Sequence, residues 1–220
     1  QAGANIPPNG FAVVVADTNI FATKHPEVSP QIVFGPWTGR LSNRGESIRL
    51  DDAQGKLSDR VNYANEGEFA RRIWSTDFRQ VRGIQWLAPH DGGGPSLELR
   101  QWRLSNNLGA NWTASDSENG SPGMSNTQAA NNAEPIITKL LHSPPLPRSD
   151  QKVNIHFEIH DESISNVQAE LYYSINEEPF ISVALTPITL SSDTQGLFQA
   201  IIPEQSNHAV VEFYIQANDS

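Results

Sequence analysis

Apolar and polar positions alternate most clearly in the second half of the chain. Val153, Ile155, Phe157 and Ile159 alternate with Asn154, His156, Glu158 and His160, and Ala169, Leu171 and Tyr173 repeat the same period of two. That period predicts strands with one buried face. Residues 180–185, 196–202 and 210–217 supply further strand signals at the even spacing of a β-sandwich. Pro144, Pro145 and Pro147 fall where a first strand must break or change sheets. In the first half the pattern is less regular. Residues 11–16 are a continuous apolar run and predict a strand buried on both faces. Residues 18–25 predict a short helix with Asp17 or Thr18 as N-cap and Pro26 as its stop. Residues 46–50 and 56–63 flank Asp51-Asp52-Ala53-Gln54-Gly55 and predict a hairpin with Gly55 at its tight point. Asp91-Gly92-Gly93-Gly94-Pro95 predicts a tight turn, and residues 96–99 a short strand with Leu97 and Leu99 on one face.

Composition divides the chain. Residues 127–133 are small, polar and without period, as in a linker. Before it, Lys+Arg number 12 against 13 Asp+Glu; from residue 134 onward they number 3 against 12. This asymmetry predicts two domains and argues against nucleic-acid binding by the acidic half, which phosphates would repel. With no cysteine, disulfides and thiol chemistry are excluded. No apolar run reaches the length of a membrane span, so membrane insertion is not expected.

Candidate chemistry is sparse. All five tryptophans fall in the first half, and Trp74 and Trp86 sit in an Arg-rich segment with Arg71, Arg72, Arg79 and Arg82. Arg–Trp stacking explains that composition structurally, with both rings packed on their own domain; the same residues are the candidate surface for a glycan or protein ligand. Asp51, Asp52 and Asp59 make an acidic hairpin. It reads as a solvated turn, with calcium as the alternative, because calcium needs six to eight oxygens. His156 and His160 lie roughly 13 Å apart at strand rise, too far to share one metal. His90-Asp91 beside three glycines reads as a turn rather than a phosphate loop, since the Lys-Ser/Thr of such loops is missing. No serine stands in a nucleophile elbow and no paired-carboxylate signature stands out. The chain is therefore expected to carry no catalytic site and no cofactor.

Three segments in one order carry a resemblance. Ser96-Leu97-Glu98-Leu99, then Asn111-Trp112-Thr113-Ala114-Ser115, then Gly120-Ser121-Pro122-Gly123 with Asn126 resemble the closing signature of bacterial lamin-tail domains. Residues 7–17, 39–64 and 63–72 look like the middle of the same domain, and residues 68–90 resemble an insertion found in one bacterial subgroup. By this resemblance the opening strands of the domain are missing ahead of Gln1. A cleaved fragment, a symmetry-related copy or residues 1–10 folding back would then complete it, the fragment being the first choice. The second half resembles immunoglobulin- or fibronectin-III-like modules that follow lamin-tail domains in large bacterial surface proteins. The resemblance thus implies an all-β chain of two tandem immunoglobulin-like β-sandwiches: residues 1–127, a linker at 128–133, and residues 134–220. It also implies an extracellular or cell-surface, non-catalytic module for spacing, adhesion or ligand presentation, partnered by other domains of its parent protein. Two alternatives stand beside it: an accessory carbohydrate- or polymer-binding module using residues 68–87, and a fragment of an enzyme whose catalytic domain lies elsewhere.

Overall fold

The computed structural model describes residues 5–76 and 82–219; of residues 74–76, 82 and 84 it describes the backbone alone. The chain is predominantly β and divides into two compact units, residues 1–130 and 131–220. The division falls inside the segment expected to be a linker, but that segment is tied down. Thr127 gives both its N–H and its hydroxyl to Glu98 Oε2 (2.7 and 2.8 Å). The Ala130 N–H reaches the Arg100 carbonyl at 2.9 Å, and the Ala133 N–H reaches Glu162 Oε1 at 3.1 Å. Small side chains let the backbone come close enough to make these bonds.

The first unit holds β1 (Val13–Val14), α1 (Thr18–Lys24), β2 (Val33–Phe34), β3 (Gly45–Asp51), β4 (Leu57–Ala64), β5 (Arg71–Thr76), β6 (Arg82–Leu87), β7 (Leu97–Leu99) and β8 (Trp112–Ala114). The helix forms where the caps predict it: Asp17 Oδ1 accepts from the N–H groups of Asn19 and Ile20. The predicted hairpin is β3–β4, with Gly55 at φ +78°. The strand of residues 11–16 differs from expectation. Only Val13–Val14 pairs, in parallel with Val33–Phe34. Val15 is buried while Val14 is 67% exposed, because a single two-residue ladder covers only one side of the run. Among the described residues, every ladder of this unit has two strands, where two packed sheets were expected. Its interior is correspondingly rich in polar groups: Glu98, Gln101, Asn111 and Ser115 are buried alongside Val15, Ala70 and Leu104.

The glycine-rich turn has a clear cause. Gly93 donates to the Pro89 carbonyl at 3.0 Å, and a side chain on Gly93 would strike that same carbonyl. Gly92 and Gly94 stand at φ +76° and +106°, where glycine is favoured.

The second unit is built on the period-two pattern. Its strands are β9 (Ile136–Ser143), β10 (Val153–His160), β11 (Gln168–Ile175), β12 (Ile181–Leu185), β13 (Pro187–Ser192), β14 (Gln195–Ile202) and β15 (Val211–Asn218). They form a four-stranded sheet, β13-β14-β10-β9, and a three-stranded sheet, β12-β11-β15. The inward positions predicted from alternation, Ile155, Phe157 and Ile159 of β10 and Ala169, Leu171 and Tyr173 of β11, are buried, and Phe198, Ala200 and Ile202 of β14 join them. Phe157 pairs in register with Phe198, their rings stacked 5.5 Å apart. Both sheets share this one apolar core.

Candidate functional site

The Arg/Trp segment folds as the β5–β6 hairpin, whose register sets Arg72 directly opposite Trp86. The Arg72 guanidinium lies 5.7 Å from the Trp86 ring centroid, within cation–π range. So the expected stacking is present, but the ring is not packed away: Trp86 is 53% exposed, and among the described residues its ladder has only two strands. Arg71 pairs with Leu87 and is also exposed. Trp74 and Arg82 take register positions opposite Ile84 and Thr76; their side chains, and Arg79 altogether, lie outside the described residues. Beside this hairpin a cleft of about 200 Å³ is lined by Phe69, Arg71, Leu87, His90 and Asp116 among others. His90 Nε2 is buried there without a hydrogen-bond partner among the described residues, and burial holds the imidazole below its usual pKa.

The acidic hairpin does not gather its carboxylates. Asp51 Oδ1 accepts from Arg49 Nε at 2.6 Å. Asp52 Oδ1 caps its own turn through the N–H groups of Gln54 and Lys56. Asp59 Oδ1 takes the Arg60 N–H and the Asn106 amide. Each is occupied separately.

The segments carrying the lamin-tail resemblance come together as one hydrogen-bonded network. Glu98, 3% exposed, accepts from Ser121 Oγ at 2.6 Å on Oε1 and from Thr127 on Oε2. Asn111 accepts the Gln101 N–H (3.0 Å) and donates to the Gln101 carbonyl (2.9 Å), imitating a strand pair. Asn126 caps the Leu99 carbonyl at 2.8 Å. The short strand β7 is therefore organised around Glu98, not around Leu97 and Leu99, which are only half-buried. Burial alone would raise the Glu98 pKa, but the bonds from Ser121 and Thr127 outweigh it and hold the carboxyl below the usual range.

In the second unit, three carboxylates that sequence reasoning did not single out converge. Asp161 and Glu162 follow the last residue of β10, and Asp219 follows the last residue of β15. One oxygen from each lies within 4.8 Å of the others. Asp161 is 1% exposed and Glu162 6%. Each uses one oxygen for the protein: Asp161 Oδ1 takes the Ser163 N–H at 2.7 Å, and Glu162 Oε1 takes the Ala133 N–H. The remaining oxygens, Asp161 Oδ2, Glu162 Oε2 and Asp219 Oδ2, are buried with no hydrogen-bond partner among the described residues. Burial, with the charges of Glu162 and Asp219 adding to it, pushes the Asp161 carboxyl up. At the other end of this unit, where β10 and β15 begin, a cleft of about 470 Å³ is lined by His142, Val153, Ile202, Val211 and Phe213 among others. His160 is half-buried, bonded to Thr138 at 3.0 Å and 3.7 Å from Glu158. Compared with known proteins, no family model, no curated protein and no solved structure matches this chain.

Proposed function

We propose that the two units are non-catalytic interaction or spacer modules of a larger extracellular or surface-anchored bacterial protein, the second an immunoglobulin-like sandwich and the first a lamin-tail-like one. Strand order carries this reading. Lettered along the chain, β9, β10, β13 and β14 become A, B, D and E, and their sheet order A-B-E-D is that of immunoglobulin domains. The facing sheet reads C′-C-F. In the first unit, support comes from the resembling segments, whose polar residues bond to one another around Glu98. Fold analogy alone does not fix a function; here it is joined by the surface of the first unit. Val14, Ile48, Leu50 and Leu57 are exposed on ladders of only two strands. Such edges accept a further strand from a partner segment of the parent protein.

A second reading rests on the half-exposed Trp86 under Arg72: an accessory module that holds a glycan or other polymer on the β5–β6 hairpin. A glycan array and sedimentation with insoluble polysaccharides, run on the purified chain and on Trp86→Ala, separate the two. The spacer reading expects no retention by either protein. Retention that falls at least tenfold in Trp86→Ala replaces it with the accessory reading. Turnover of a generic ester, glycoside or phosphate substrate overturns the non-catalytic assignment.

A further inference from the structure

We propose that Asp161, Glu162 and Asp219 bind one calcium ion at the end of the second unit where β10 and β15 finish. Three observations lead there. First, three carboxylate oxygens from residues far apart in sequence converge to within 4.8 Å. Oxygens on opposite sides of one calcium lie about 4.6–5.2 Å apart, at 2.3–2.6 Å from the ion each, so a single ion spans the group. Second, Asp161 and Glu162 are more than nine-tenths buried, and each, like Asp219, keeps one buried oxygen without a hydrogen-bond partner among the described residues. Buried anions normally find a donor, a counter-charge or a metal; among the described residues these three oxygens have no hydrogen-bond donor. Third, one oxygen each of Asp161 and Glu162 is fixed by the Ser163 and Ala133 N–H groups. That is how protein bonds orient a ligating carboxylate from behind.

The donor set is all oxygen and anionic, which selects a hard divalent cation over zinc or copper. The three carboxylates leave coordination positions for water or backbone carbonyls, as calcium sites do. The placement gives the ion a mechanical role. β10 belongs to the four-stranded sheet and β15 to the three-stranded one, so one ion ties the ends of both sheets together.

The test is calorimetric titration of calcium chloride into the whole chain after EDTA treatment. One site per chain is expected. Losing partners behind the ligands already costs roughly 10–100-fold in metal affinity elsewhere, so Asp161→Asn should weaken binding at least tenfold. Asp219→Asn, at the less buried position, should do the same and serves if Asp161→Asn does not fold. Asp51→Asn and Asp59→Asn should leave affinity unchanged. Absence of binding by the wild-type chain overturns the proposal. So does binding that survives both Asp161→Asn and Asp219→Asn, or that is abolished by the hairpin substitutions instead. The ion site does not depend on the spacer role: a polymer-binding module would carry it equally.

Discussion

Replacing Glu98 by glutamine should destabilise the first unit by about 2 kcal/mol at neutral pH. The carboxylate accepts three short bonds, from Ser121 Oγ (2.6 Å), Thr127 N (2.7 Å) and Thr127 Oγ1 (2.8 Å). Bonds to a charged acceptor contribute roughly 1.5–3 kcal/mol and neutral ones roughly 0.5–1.5, so neutralising the group costs about 1 kcal/mol for each. Glutamine can keep its oxygen toward the Thr127 N–H, while the Ser121 hydroxyl turns to accept from the new amide. It also avoids desolvating a charge. These gains bring a sum of about 3 down to about 2 kcal/mol. Alanine has no such escape: it leaves the Thr127 N–H without an acceptor and should cost a further 1–3 kcal/mol, roughly. All five tryptophans lie in the first unit, so urea unfolding followed by tryptophan fluorescence reports this unit alone. At a slope of about 2 kcal/mol per molar urea, the Glu98→Gln midpoint falls by about 1 M. The pH dependence has a definite sign. The folded pKa of Glu98 lies below its unfolded value of about 4.3, so its contribution is present above that pH and lost as pH falls through the folded value. The gap between wild type and Glu98→Gln should therefore close on acidification below about pH 4. A variant equal to wild type at pH 7, or a gap unchanged between pH 7 and pH 3, refutes the reasoning.

Phe157→Ala should cost the second unit about 3–5 kcal/mol, since Phe157 is fully buried and stacked on Phe198. Near-ultraviolet circular dichroism of the stacked Tyr172–Tyr214 pair reads that unit, and a cost under about 1 kcal/mol would mean the core was misassigned. Trp86→Ala should change the stability of the first unit by about 1 kcal/mol or less, as expected for loss of a half-exposed ring and one cation–π contact; a larger drop in the tryptophan-reported urea midpoint would show that the ring is structural. In EDTA, Asp161→Asn should melt above wild type at pH 7. The folded Asp161 pKa is raised, so its stabilising contribution is complete below about pH 3.9 and lost as pH rises through the folded value. The difference in melting temperature should shrink on acidification and reverse in calcium, and wild type melting above the variant in EDTA would contradict it.

Much of the second unit was legible because an interior strand face writes itself as a period of two. β10 and β11 follow from Val153–Ile159 and Ala169–Tyr173 with no further information. The first unit was legible only in pieces. Asp17 and Gly55 declared a helix cap and a hairpin turn, both local events decided by the chain itself. The apolar run at residues 11–16 did not declare its environment, because hydrophobicity cannot say how many strands lie alongside. Glu98 escaped for the opposite reason. Between two leucines it reads as the solvent-facing residue of a strand, and only the return of Ser121 and Thr127 from far along the chain makes it the buried one. The Trp/Arg hairpin was anticipated as a stacked pair, but the exposure of Trp86 depends on what packs over the hairpin, which no local pattern encodes.

The acidic triad shows the same limit and a way past it. Asp161-Glu162 and Asp219 are ordinary surface residues by composition, and nothing local joins them. What brings them together is topology: β10 and β15 run to the same end of their sandwich, so the residues just beyond each meet. Glu98 makes the comparison that gives the triad its meaning. Both sites bury carboxylates. At Glu98, hydroxyl and amide donors converge on both oxygens and the acid becomes stronger. At Asp161, one oxygen is satisfied and the other is not, two further carboxylates lie close by, and burial with their charges makes the acid weaker. A fold that needs an anion for its own cohesion surrounds it with donors. A fold that gathers three carboxylates accepts repulsion that a retained proton or a bound cation relieves. The first arrangement holds a strand in place; the second is where the proposed calcium ion would sit, its three oxygens lying within the span of one such ion.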